Sequence, residues 1–365
     1  MIETTSTSLK NDTIEASATP KNPQHPMEKN EINNNNDAAK PSTWTVKQTP
    51  QDSSFVPTLG VFLFLGWNGI LVFLILYTSL VATKTQRSVI IGLSTLSLVL
   101  PRGFPGKLGF KAGNWFMFQS AKYFGLKTVL EDENAIDEIK DKAAIFACEP
   151  HDIIPYYAFA FNPILKRLPG HHGERNSVLV TSALFMLPFI RHVYTWVRAN
   201  RVDKTTFLGN LKKGESFCFI PGGVQEVMFM EEADDNEVIL YLQKRKGFVK
   251  LALETGSPIV PVYCFGVAGS YGHWIPKGDF FNKLGRAIGF LPLIYWGRFG
   301  IPYGIPKPCQ LTVVFGAPID VPLEGGNVSK ESVDKYHCQY LMEMEALFDR
   351  HKGDVGCGHM KLKIM

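Results

Sequence analysis

The tetrapeptide Glu149-Pro150-His151-Asp152 sets an imidazole between two carboxylates, directly after the apolar run Ala143 to Cys148. That run reads as a buried strand. Open α/β sheets hold their ligands at the carboxyl ends of such strands. Prolines 150 and 155 stiffen the segment and keep it from passing straight into a helix. A histidine fixed in that place is a candidate general base.

Two further stretches carry chemistry. In Phe219-Ile220-Pro221-Gly222-Gly223-Val224-Gln225-Glu226 a strand runs into a double glycine, with a carboxylate three residues on. Gly222 and Gly223 let the backbone approach a ligand and turn N–H groups toward an oxyanion. A plain structural turn is the alternative. In Lys244-Arg245-Lys246-Gly247-Phe248-Val249-Lys250, Lys246 and Lys250 share a helix face at i,i+4. With Arg245 they are candidates for phosphate binding, and a solvated basic face is the alternative. The chain has no GxSxG elbow, no GxxxxGK[ST] loop and no cysteine or histidine spacing that suits a metal.

These pieces fit acyl transfer. His151 removes the proton of an alcohol, the alkoxide attacks a thioester, the glycine turn stabilises the tetrahedral oxyanion, and a thiolate leaves. A carboxylate would orient His151, with Asp152, Glu149 and Glu226 as candidates that sequence does not separate.

The elements that must position these groups alternate. Strand candidates lie at 143–148, 177–181, 216–220, 258–265 and 311–315, with helical patterns at Val238 to Thr255 and Ser332 to His351. This is an α/β sheet flanked by helices. Pro302 to Pro308 reads as a surface loop, and His171-His172 as part of an exposed loop. The six cysteines read as reduced thiols, three of them (Cys148, Cys218, Cys264) in apolar runs, which suits a cytosol-facing body.

Residues 1–55, rich in Asn, Ser, Thr and Pro, are expected to be disordered. No signal peptide is read at the start. Ser53 to Thr83 is a run of 31 residues without a charge, and Leu59 to Val81 within it predicts a membrane span, kinked or re-entrant at Trp67-Asn68-Gly69. Ser88 to Leu100 is a shorter apolar stretch, a returning arm or an interfacial helix. The expected division is therefore a tail over 1–55, a membrane anchor over 56–104 and a catalytic domain over 105–365. Net charge is +4, with an excess of acid in the tail, so the rest of the chain carries +6. That suits an anionic membrane surface or a phosphorylated ligand and is too weak to argue for nucleic acid.

In this order and spacing the blocks resemble the type-2 diacylglycerol acyltransferases, a family with monoacylglycerol and wax-alcohol relatives. The resemblance covers roughly 100–365. Glu149-Pro150-His151-Asp152 is nearer the family's plant form, Glu-Pro-His-Ser, than its animal form, His-Pro-His-Gly. Arg191 to Trp196, Pro221 to Glu226, and Arg245 to Lys250 with Val260-Pro261 and Phe265-Gly266 are similar in turn. Phe62-Leu63-Phe64-Leu65 resembles a neutral-lipid-binding pattern. Asp152 and Val267 depart from the family's usual Ser or Gly and Glu or Gln.

The resemblance implies a membrane-anchored, glycerolipid-acyltransferase-like fold and His151 as the catalytic histidine. It implies acyl-CoA as co-substrate with no other cofactor and diacylglycerol as acceptor. It also implies contact with membrane lipids, and a place in the endoplasmic reticulum membrane, facing the cytosol, or on lipid droplets. Homo-oligomerisation is left open. Other glycerolipid acyltransferases carry Asp five positions after the histidine, where this chain has Tyr156, and a Gly-Thr-Arg turn for an acceptor phosphate, where this chain has Gly222-Gly223-Val224-Gln225. The absence of that arginine favours a neutral acceptor. Monoacylglycerol, a fatty alcohol, or a non-catalytic lipid-droplet role are the competing readings.

Overall fold

In the computed structural model, described over residues 44–365 except 175, 231, 232, 235, 277, 279, 282 and 284–292, apolar runs dictate a sheet covered on both faces. β3 (Ile145–Glu149) and β8 (Ile259–Phe265) are buried at every position. Alternate side chains of β3 serve opposite cores. Phe146 and Cys148 join Val61, Phe64 and Leu65 of helix α1 (Phe55–Leu65) and Met117 and Ala121 of α4 (Lys107–Tyr123). Ile145 and Ala147 join Phe248 and Leu251 of α10 (Gly247–Thr255) and Tyr340, Met344 and Phe348 of α11 (Lys330–His351). Burial on both faces is why these strands read as continuous rather than alternating apolar runs.

The remaining sheet strands are β1 (Thr45–Gln48), β2 (Lys127–Leu130), β4 (Ser177–Val180), β5 (Ala199–Arg201), β6 (Phe217–Phe219) and β11 (Thr312–Phe315). Eight strands lie in the order β1-β2-β11-β8-β3-β6-β4-β5. β3 is parallel to both neighbours, pairing Phe146 with Val260 of β8 and with Cys218 of β6. The carboxyl ends of β3 and β6 therefore lie side by side, which brings His151 beside the glycine turn. Outside the sheet, β7 (Glu237–Leu240) pairs with β12 (Lys361–Ile364), and β9 (Gly272–Trp274) with β10 (Ile294–Trp296).

The uncharged run is two helices. α1 packs on α4 through Gly60, where a Cβ would lie 2.3 Å from Gln119 Cβ. It ends at Gly66, beyond which the Trp67 indole donates back to the Leu63 carbonyl at 2.7 Å. α2 (Trp67–Leu80) leaves at an angle of 61°. No single helix among the described residues is long and apolar enough to cross a membrane; the bent pair meets that length and composition only jointly. The span expected over Leu59 to Val81 is therefore not one helix: it breaks at Gly66, beside the kink expected at Trp67-Asn68-Gly69, and α1 packs into the core under the sheet. α3 (Lys84–Val99) follows, opened by a Thr83–Gln86 capping box. Phe73, Ile75, Leu76 and Leu80 of α2 and Val89, Ile91, Leu93 and Leu96 of α3 are exposed.

Three other expectations change. Of the tail expected over 1–55, residues 1–43 lie outside the described residues, and Thr45–Gln48 forms an antiparallel edge strand on β2. The helix expected from Val238 begins only at Gly247, since Glu237–Leu240 pairs with the C-terminal strand β12. His172 is fully buried, its Nδ1 2.9 Å from the Ser216 hydroxyl, and burial lowers its pKa to about 4. Cys148, Cys218 and Cys264 are buried free thiols, as their apolar neighbours predict.

Candidate active site

The chain leaves β3 through a cis Glu149–Pro150 peptide and turns at Asp152, whose φ is 49°. That left-handed conformation disfavours most side chains, and Asp, Asn and Gly tolerate it best. The Asp152 carboxylate caps its own turn by accepting from the Ile153 amide at 2.5 Å. The turn aims the Asp152 main-chain carbonyl at the His151 ring, 2.7 Å from Nδ1. A carbonyl only accepts, so Nδ1 carries the proton and Nε2 the lone pair. Burial lowers the pKa of His151, opposed in part by that carbonyl, so the ring is neutral at pH 7.

The three carboxylates proposed as orienters act on the backbone instead. Glu226 accepts from the His151 amide and the Tyr241 amide, each at 2.9 Å. Glu149 accepts from the Gly222 amide at 3.0 Å. Both carboxyls are buried and adjacent. Burial first, then the charge of Glu226, drive the pKa of Glu149 well above its ordinary value, while Glu226 rises to about 6. Glu149 therefore holds a proton, and the charge resides on Glu226, which two amides already face. The pair ties the histidine loop to the glycine turn. Tyr156, five positions after the histidine, donates to Ser270 at 3.1 Å.

The glycine turn divides its two glycines. The Gly222 N–H is spent on Glu149, and a Cβ there would collide with the Glu226 carboxyl at 1.8 Å. Gly223, at φ 64°, lines a cavity of about 220 Å³ together with His151, Tyr157, Tyr194, Val224 and Val227. Its N–H has no acceptor in the protein among the described residues. Of the two donors expected, only Gly223 is free for an oxyanion. A second apolar cavity, about 600 Å³ and walled by α2, Trp274 and Phe281, shares Asn68, Leu293 and Tyr295 with the first.

A family model, Diacylglycerol acyltransferase, matches residues 80–364. This chain belongs to the diacylglycerol acyltransferase family. It is 33% identical to diacylglycerol O-acyltransferase 2 of Dictyostelium discoideum over 239 residues, 60% of this chain and 70% of that protein. It is 34% identical to human 2-acylglycerol O-acyltransferase 3 over 205 residues, 50% of this chain and 56% of that one. It is 29% identical to mouse acyl-CoA wax alcohol acyltransferase 2 over 254 residues, 64% and 72% of the two chains. The match thus spans little more than half of the human relative's length.

In this diacylglycerol acyltransferase family member the basic block serves two ends. Arg245 donates to the Gly222 carbonyl at 3.2 Å and to Gln225 Oε1 at 2.8 Å, bracing the glycine turn. Lys246 is paired with Asp334 and does not face the site. Lys250 lines a cavity of about 440 Å³ with Lys204, Lys244 and Arg245. Lys204 begins helix α8 (Lys204–Lys212), about forty residues before the block, and the packing of α8 against α10 brings it there. Val202 is common to this basic cavity and to the one at His151. Val267 is buried in the core, where an apolar side chain fits.

Proposed function

We propose that this chain is an acyl-CoA-dependent O-acyltransferase that esterifies a neutral glycerolipid alcohol, with diacylglycerol as acceptor and triacylglycerol as product. One observation carries the reading. His151, with Nδ1 held by a main-chain carbonyl, lines an apolar cavity beside the unspent N–H of Gly223.

His151 Nε2 takes the proton of the acceptor hydroxyl. The oxygen bonds to the thioester carbonyl carbon, and negative charge moves to the carbonyl oxygen, where the Gly223 N–H donates. As the intermediate collapses the C–S bond breaks, and the proton on Nε2 passes to the leaving thiolate. Ester and free CoA are the products, and the histidine is regenerated. Developing imidazolium charge is met by the Asp152 carbonyl, a weaker partner than a carboxylate.

The cation cluster of Lys204, Lys244 and Lys250 suits the phosphates of CoA, with the pantetheine arm passing Val202 toward His151. The apolar cavities suit acyl chains; the turn Gly222-Gly223-Val224-Gln225 carries no arginine of its own, and Arg245 behind it is engaged by the Gly222 carbonyl and Gln225. The exposed apolar residues of α2 and α3 suit a bilayer face entered from one side rather than crossed. On this reading the enzyme sits on the cytosolic face of the endoplasmic reticulum and on lipid droplets.

The test is direct. Purified full-length protein given labelled acyl-CoA and diacylglycerol in mixed micelles forms labelled triacylglycerol and one free thiol per ester. Thiol release without ester, or no turnover with any alcohol, contradicts the reading.

A further inference from the structure

Asn68 and Tyr295 stand where the two apolar cavities meet, and both line both cavities. Asn68 is the second residue of α2. Beside it Gly69 lies so close to the Tyr303 carbonyl that a Cβ would be 2.7 Å from the oxygen. This approach sets Asn68 Nδ2 2.9 Å from the Tyr295 hydroxyl, to which it donates.

Tyr295 is 4% exposed and packed between Tyr271 and Tyr303, with ring centroids at 4.8 and 5.1 Å. The two neighbours spend their hydroxyl protons on main-chain carbonyls, Tyr271 on Gly304 and Tyr303 on Leu293, each at 3.1 Å. Tyr295 differs. Its hydroxyl accepts from Asn68, and its own proton has no acceptor in the protein among the described residues. Asn68 Oδ1 likewise meets no donor there. Burial raises the Tyr295 pKa, so the proton stays on the oxygen and remains available to donate. An unspent donor at the waist of an otherwise apolar passage calls for a ligand acceptor, and the unspent acceptor beside it is within the capacity of a water.

We propose that the Asn68–Tyr295 pair reads an ester group of the acceptor lipid, and so selects a glyceride over a simple long-chain alcohol. The inference rests on the acyl-transfer reading above. The Tyr295 hydroxyl donates to the ester carbonyl of a chain already on glycerol. The Asn68 carboxamide oxygen accepts from a bridging water, since the one hydroxyl of a diacylglycerol is committed to His151. With the ester held there, the free hydroxyl extends toward His151 in the smaller cavity and the apolar chain lies in the larger one. A fatty alcohol has no ester and leaves the Tyr295 proton unmet. Sites built to hydrogen-bond a substrate discriminate in this way against analogues that lack the group.

The experiment compares kcat/KM for diacylglycerol and hexadecanol in full-length wild type, Asn68→Leu and Tyr295→Phe. Tyr295→Phe removes one oxygen and keeps the ring stack, so it carries the test if Asn68→Leu does not fold. The expected result is a fall of about tenfold in the preference for diacylglycerol over hexadecanol, the size of one neutral hydrogen bond. An unchanged ratio in a folded Tyr295→Phe variant overturns the proposal. So does a wild type that acylates hexadecanol and not diacylglycerol, while the acyl-transfer reading stands. A wild type that acylates neither alcohol overturns that reading itself, and the proposal with it.

Discussion

The ring nitrogen Nδ1 of His151 lies 2.7 Å from the main-chain carbonyl of its own neighbour, Asp152, and no carboxylate among the described residues hydrogen-bonds the ring. The orienting group is thus supplied by backbone conformation, and the side chain at 152 matters because it permits a φ of 49°. Gly and Asn also accept that conformation, whereas a β-branched residue does not. Asp152→Gly and Asp152→Asn are expected to keep kcat within about threefold, since the carbonyl remains. Asp152→Val is expected to lose roughly 1–3 kcal/mol of stability and most activity. Thermal midpoints and steady-state rates on the three variants check this; a large kcat loss in a stable Asp152→Asn would return the role to the carboxylate.

The two buried carboxyls are not equivalent. A protonated Glu149 is a neutral donor and acceptor, which a carboxamide imitates, while Glu226 must accept from two amides and has no use for an NH₂ group. Glu149→Gln is therefore expected to be nearly silent near neutral pH, and Glu226→Gln to cut kcat at least about tenfold by releasing the His151 loop. The pH dependence has a definite sign. Folded Glu149 keeps its proton where the unfolded chain has lost it, so its contribution to stability declines as pH rises above the ordinary glutamate value. Denaturant melts at pH 5 and pH 8 should show Glu149→Gln gaining on wild type at the higher pH.

The basic residues should separate by readout. Lys204→Ala, Lys244→Ala and Lys250→Ala are expected to raise KM for acyl-CoA, each by roughly three- to tenfold at low salt and less at high salt. Lys246→Ala should leave KM alone and cost at most about 1 kcal/mol from an exposed ion pair. Arg245→Ala should lower kcat, because it frees the glycine turn. Initial-rate kinetics at two ionic strengths resolve the three patterns.

Much of this arrangement was legible in the residues, and the rest was not, for physical reasons. The strand ending at Glu149, the histidine beyond it and the adjacent glycine turn follow from local runs and punctuation. Glu226 reaching the His151 amide, 75 residues away, depends on β3 lying beside β6, which no local pattern dictates. Lys204 joins Lys250 for the same kind of reason. The strand Thr45–Gln48 was hidden by its polarity, since an edge strand with one half-buried face and one exposed face reads like a tail. Val238 to Leu240 looked helical because its pairing partner is the far end of the chain. The break in the long apolar run was legible at Trp67-Asn68-Gly69, but the packing of its first half, α1, against α4 and the sheet depends on contacts no local pattern gives.

The pH profile of kcat/KM should carry one acid limb. The base works neutral, so rate falls as pH drops through its pKa. Burial lowers that pKa, and the limb should fall below the ordinary histidine value of about 6.5. A limb above that value would point to a different group.

The central claim is that His151 is the base. The measurement is the single-turnover rate of acyl transfer from acyl-CoA to diacylglycerol by folded His151→Ala protein at saturating substrates. A loss of roughly 10²- to 10⁴-fold with an unchanged thermal midpoint is predicted. A folded variant transferring acyl groups within a few-fold of wild type would contradict the account.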